Sequence, residues 1–148
     1  MSPFRFRLTT FQRLKEAARD ACREQFVDAL RVDDRLRQQI AEFQAMIREA
    51  RDLQTVPAGQ VDVDRILSAQ RHEMVATAEM RHVEHQRLKV LEEIERRRAA
   101  LVEADREVKT LEKLKTSQQA EHRRRAEVVE MKLMDETAGR RRPEEVDA

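Results

Sequence analysis

The stretch Thr55-Val56-Pro57-Ala58-Gly59-Gln60-Val61-Asp62-Val63-Asp64 decides how this chain of 148 residues is read. It holds the one interior proline and one of the two glycines, while Pro3, Pro143 and Gly139 sit near the ends. Proline removes a backbone donor and clashes inside a helix, and glycine carries a large ordering cost there. The stretch therefore separates two helical segments, and so short a connection makes them antiparallel neighbours. The expected fold is all-α, a single coiled-coil domain over 1–148. It has a helix over about 4–53, a turn over about 54–63, a longer second helix over about 64–138 and a frayed tail at 139–148.

Composition agrees with two long helices. Charged residues make up 40% and aromatics 3%, with no Trp or Tyr, so a thick core is excluded. A regular apolar stripe argues against disorder. The 30 basic and 29 acidic residues interleave to a net charge of +1, which gives no general field for nucleic acid or anionic lipid. The single Cys22 forms no internal disulfide and fits a reducing compartment. Met1 to Arg7 lacks the apolar run of a signal peptide, and no stretch approaches the roughly 18 apolar residues of a membrane span. A soluble, cytoplasmic protein without direct membrane insertion is expected.

Before the break, Ser2-Pro3 and Thr9 with Gln12 offer two helix starts, so Phe4 to Leu8 is either helical or extended. From Phe11 the apolar residues Leu14, Ala18, Cys22, Phe26, Ala29, Val32, Leu36, Ile40, Phe43, Ile47 and Ala50 follow in steps of three and four, the spacing of a coiled-coil seam. After the break, Asp62 or Asp64 caps the second helix, and Gly139 ends it in a left-handed cap. Its stripe includes Leu67, Met74, Ala78, Leu88, Leu91, Leu101, Val108, Leu111 and Leu114, with polar intruders such as Gln70, His85 and Arg98. The helix-pairing core is expected at Leu14, Phe26, Leu36, Ile40, Phe43, Ile47, Leu67, Met74, Leu88 and Leu101.

A pivot near residues 58 to 59 brings Ala50 near Leu67 and Leu14 near Leu101 or Glu103. The first helix then runs out where the second reaches about residue 110, leaving an overhang of about 28 residues, or about 40 Å. That overhang carries Leu111, Leu114, Val128, Val129, Met131, Leu133 and Met134. An isolated helix with such residues is marginal in water, so a partner or self-association is the natural way to stabilise it.

Nothing in the sequence signals catalysis or a cofactor. Two lone glycines make no nucleotide loop, and paired helices offer no water-excluding pocket. Glu79-Met80-Arg81-His82, with His85 beyond, has the two-ligand spacing of di-iron bundles but lacks the second motif and the further glutamates, so no metal is expected and the residues read as a solvated face. Arg96-Arg97-Arg98 and Arg123-Arg124-Arg125 are flanked by glutamates without aromatics to stack on bases, which argues against nucleic acid. Cys22 reads as a small seam residue, and Met131 and Met134 either as gap-fillers or as an adaptable docking surface.

Three segments in order resemble the FliJ family, soluble components of the flagellar type III export apparatus. They are Phe4-Arg5-Phe6-Arg7-Leu8-Thr9-Thr10-Phe11-Gln12-Arg13-Leu14, Arg106-Glu107-Val108-Lys109-Thr110-Leu111-Glu112-Lys113-Leu114-Lys115 and Glu130-Met131-Lys132-Leu133-Met134-Asp135-Glu136, with the break between the first two. The resemblance covers essentially the whole chain. It implies a non-catalytic stalk, similar to the central rotor subunit of rotary ATPases, at the cytoplasmic face of the inner membrane. The implied partners are the hexameric export ATPase, whose ring it enters and helps assemble, the cytoplasmic domain of the export gate, and export chaperones that it helps recycle. It further implies a gate-docking face on the early second helix, here Val75, Glu79, His82 and Gln86, whose residue types differ from the family's at most places. A self-associating scaffold joined through residues 111 to 134 and the stalk of a virulence-type secretion system are the competing readings.

Overall fold

In the chain's computed structural model, residues 2–55, 59 and 62–141 are described. Pro57 and the tail beyond Arg141 lie outside them. Two helices make up the described fold, α1 at Thr9–Gln54 and α2 at Val63–Arg140, and they pack on each other as a hairpin.

Local chemistry sets the helix ends. Residues 2–6 are extended and a turn follows, so α1 starts at Thr9 and the expected start near residue 4 is corrected. Leu8 supplies the first helical acceptor, its carbonyl taking a bond from the Gln12 amide at 2.7 Å. The Thr9 hydroxyl does not cap forward; it donates back to the Phe6 carbonyl at 2.7 Å. At the far end, the Gln54 side chain donates to the Ala50 carbonyl, and the Thr55 hydroxyl donates to that of Asp52, one of the acceptors that the last turn leaves open. Asp62 caps α2: its carboxylate accepts from the Arg65 amide at 3.3 Å and its carbonyl from the Ile66 amide at 3.1 Å. Between the helices Gly59 holds φ at +117°, a conformation costly for a residue with a Cβ. Gly139 does not terminate α2, which runs one residue past it in ordinary helical backbone.

The seam is a strict seven-residue repeat. On α1 the two inward positions of each heptad are Gln12, Arg19, Phe26, Asp33, Ile40, Ile47 and Gln54, and Lys15, Cys22, Ala29, Leu36, Phe43 and Ala50; all are buried or half-buried. On α2 they are Ile66, Glu73, Met80, Arg87, Ile94, Leu101, Val108 and Lys115, and Ala69, Ala76, Val83, Val90, Arg97, Ala104 and Leu111, again all buried or half-buried. This corrects part of the expected core. Phe26, Leu36, Ile40, Phe43, Ile47 and Leu101 lie in the seam, whereas Leu14, Leu67, Met74 and Leu88 are exposed, Met74 at 72%. Each of those four is one residue away from a seam position, and one residue of helix is a rotation of about 100°.

The fold divides into two compact units. In the unit Asp20–Val102, Arg51 Nε meets Glu73 at 2.8 Å, Arg87 Nε meets Asp33 at 2.8 Å and Arg97 Nη1 donates to the Gln25 carbonyl at 2.6 Å. Partner numbers fall on α1 as they rise on α2, so the helices are antiparallel here. Because Glu73, rather than Leu67, packs beside the end of α1, the register lies several residues later than a pivot at 58 to 59 gives. Asp33, 6% exposed, also reaches Arg37 at 3.3 Å, so both carboxylate oxygens are engaged by guanidinium groups. The hydrogen bonds from Arg51 and Gln54 hold the Glu73 carboxyl below its ordinary value.

In the unit formed by residues 1–19 and 103–148, Lys15 and Arg19 reach the seam with long aliphatic stems. Lys15 Nζ lies 2.8 Å from Glu107 and 5.4 Å from the Phe11 ring centre, which lets its charge stay partly solvated. Val108 is fully buried.

Two outcomes follow. Asp33→Ala leaves Arg87 in the seam without its counter-charge and lowers stability by about 1–3 kcal/mol in urea melts, whereas Asp33→Leu with Arg87→Leu recovers most of the loss. Glu73 has a folded pKa below its unfolded one, so its contribution is present above the ordinary carboxylate range and is lost as pH falls through the folded value. Glu73→Gln accordingly flattens the acid side of the thermal stability profile relative to wild type.

Candidate partner-binding surfaces

Paired helices expose their outer positions, and the seam leaves several large apolar residues uncovered there. In the unit formed by residues 1–19 and 103–148, the extended N-terminal residues matter most. Phe6 is buried, and the Phe4 ring meets the His122 ring edge-on with centres 5.7 Å apart. The N-terminal segment therefore follows α2 well past residue 110. Leu111, expected on the overhang, is 7% exposed and belongs to the seam. Leu114 is 40% exposed at its margin. The uncovered part of α2 begins near residue 123, and every described residue from Glu127 to Arg141 is exposed.

Val128, Val129, Met131, Leu133 and Met134 all lie on this part, with Met131 and Met134 each 65% exposed. They do not form one stripe. At about 100° per residue they fall on every side of the helix, so no single flat partner covers them all. Around them Arg125 pairs with Glu121 at 2.5 Å.

In the unit Asp20–Val102, Val75, Glu79, His82 and Gln86 are all exposed on one flank of α2, and the Gln86 amide lies 3.2 Å from the His82 ring. His85 lies elsewhere, in an open groove with Ile40, Gln44, Leu88 and Leu91. Among the described residues no three His, Cys, Asp or Glu side chains gather as a metal cage. The first arginine triplet is split: Arg97 turns inward to Glu93 and Gln25, Arg96 reaches Glu93 at 3.5 Å and Arg98 reaches Glu95 at 3.9 Å. Cys22 is a free, half-buried thiol in the seam. No helix of the described residues is long and apolar enough to cross a membrane.

Sequence reasoning missed the N-terminal cover over α2. Its signal was present in Phe4 and Phe6, two of the five phenylalanines, alternating with arginines as an extended segment with one apolar face does.

The family model described as flagellar FliJ protein matches residues 4–143. No curated protein and no solved structure matches the chain.

Phe6→Ala removes the buried anchor of the N-terminal segment and costs about 2–4 kcal/mol locally. Hydrogen exchange is expected to quicken over residues 108–122 and to stay unchanged over 69–101.

Proposed function

This chain belongs to the FliJ family, and on that premise we propose that it is a non-catalytic stalk and adaptor of flagellar type III protein export. The observation that carries the reading is the uncovered end of α2. Five of the seven residues from Val128 to Met134 are large and apolar, they surround the helix, and all are exposed. A helix apolar on all sides is stable when it is enclosed, and a ring of subunits encloses a helix where a flat surface does not. The hexameric export ATPase is such a ring. Val128, Val129, Met131, Leu133 and Met134 contact its inner wall, with Leu114 at the mouth. Leu111 takes no part, being committed to the seam.

The same reading assigns Val75, Glu79, His82 and Gln86 to the cytoplasmic domain of the export gate. All four are solvent-facing on one flank and bear a mixture of apolar, charged and imidazole groups suited to a reversible, polar-rimmed contact. Promotion of ring assembly follows from simultaneous contact with several subunits, and chaperone recycling from holding chaperones near the gate. Work of this kind needs shape and surface chemistry, with no reacting side chain.

A chain ending after Arg125 keeps the Phe4–His122 contact and the seam, and is expected to retain the helicity of the hairpin by circular dichroism. It should lose stimulation of the hexameric export ATPase, and so should Met131→Asp with Leu133→Asp in the full chain. Undiminished stimulation by either variant refutes the assignment of residues 128–134.

A further inference from the structure

Along the outer face of α2 in the unit Asp20–Val102, one position of each heptad repeats the series Leu67, Met74, Arg81, Leu88, Glu95, Val102. All six are exposed, Met74 and Leu88 more than half. This face is separate from the flank of Val75, Glu79, His82 and Gln86. The order of its charges is unusual: an arginine and a glutamate stand one heptad to either side of a leucine, and an apolar residue stands one heptad beyond each.

We propose that this face binds the same face of a second copy of the chain, antiparallel, about a two-fold axis at Leu88. In that arrangement Leu88 meets its own symmetry mate, Arg81 meets the second copy's glutamate at 95, and Met74 meets the valine at 102. Each contact outside the axis occurs twice, as an isologous interface requires. One flank adds to it, because antiparallel symmetry brings His85 opposite Glu92 and Ala78 opposite Ala99, small against small. Charge complementarity singles out both direction and register. Parallel pairing sets Arg81 on Arg81 and Glu95 on Glu95, and an antiparallel shift of one heptad either way sets both charges against apolar side chains. Glu95 reaches its own-helix partner Arg98 only at 3.9 Å, so its carboxylate is available to the second copy. With one main side chain per heptad, the contact is smaller than the roughly 1,600 Å² of a standard stable interface. The association is weak and reversible.

Sedimentation equilibrium of the full chain tests this. The weight-average mass is expected to rise from 17.5 kDa toward twice that value as concentration increases. Arg81→Glu or Glu95→Arg alone should weaken association about tenfold or more, since two pairs turn repulsive in each dimer, and the double reversal should restore it. In a Cys22→Ser background, Leu88→Cys should oxidise to a disulfide-linked dimer, because the axis places the two thiols side by side. A mass that stays monomeric at every concentration, as expected if the face serves a different protein, overturns the proposal. So does a double reversal no better than either single one, or failure of Leu88→Cys to cross-link.

Discussion

The structure depends on a seam that keeps its seven-residue repeat even where the repeat selects polar side chains. Asp33, Glu73, Arg87 and Arg97 all occupy inward positions, and each has a partner on the other helix. Asp33 is buried, and a buried charge without a partner is heavily penalised, so its pairing with Arg87 favours the register in which the two meet, and the partly exposed contacts of Glu73 and Arg97 agree with it. Apolar heptads alone are nearly degenerate to a slip of seven residues. The polar pairs remove that degeneracy within the unit Asp20–Val102. Ala29, Ala50, Ala69 and Ala76, all closely buried, give the same seam room to bring the backbones together.

Those pairs also explain what was legible beforehand. Two antiparallel helices, the break between them and the excess length of the second followed from Pro57, Gly59 and the three-four spacing. The details failed one residue at a time. Phe11 stands beside the true seam position Gln12, Leu14 beside Lys15, Ala18 beside Arg19, Val32 beside Asp33, Met74 beside Glu73 and Leu88 beside Arg87. In each of these six the inward residue is polar and its neighbour apolar, so a search for apolar side chains alone steps off the seam; Leu67 beside Ile66 differs, since both are apolar and only the register separates them. Only the strict repeat, or the partner across the hairpin, tells the two apart. The cap at Asp62 was readable because capping is local; the pairing of Lys15 with Glu107 was not, because it depends on register.

The N-terminal segment changes where the unpaired part of α2 begins. Counting helical residues alone starts the overhang at residue 111, but an extended chain covers about 3.3 Å per residue against 1.5 Å in a helix. The few residues before Thr9 therefore reach as far as His122. Phe6 and Phe4 are the side chains that make this cover adhere. What remains uncovered is shorter, and more uniformly exposed, than the seam pattern implies.

The two unpaired apolar surfaces pose different geometric problems. Around Val128 to Met134 the apolar side chains encircle the helix, and a helix of that kind gains little from one flat contact because most of its residues still face water. On the outer face of α2 between Leu67 and Val102, by contrast, Leu67, Met74, Leu88 and Val102 share one heptad position, and the seam occupies another side of the helix. Such a stripe is satisfied by a single helix laid along it. The charges sort the two in the same way: Arg81 and Glu95 are placed for a partner carrying the inverse order, which this chain itself presents, whereas the uncovered end has no such symmetry. Enclosure by a larger assembly and pairing with a like chain thus make demands on separate residues, and neither surface can substitute for the other.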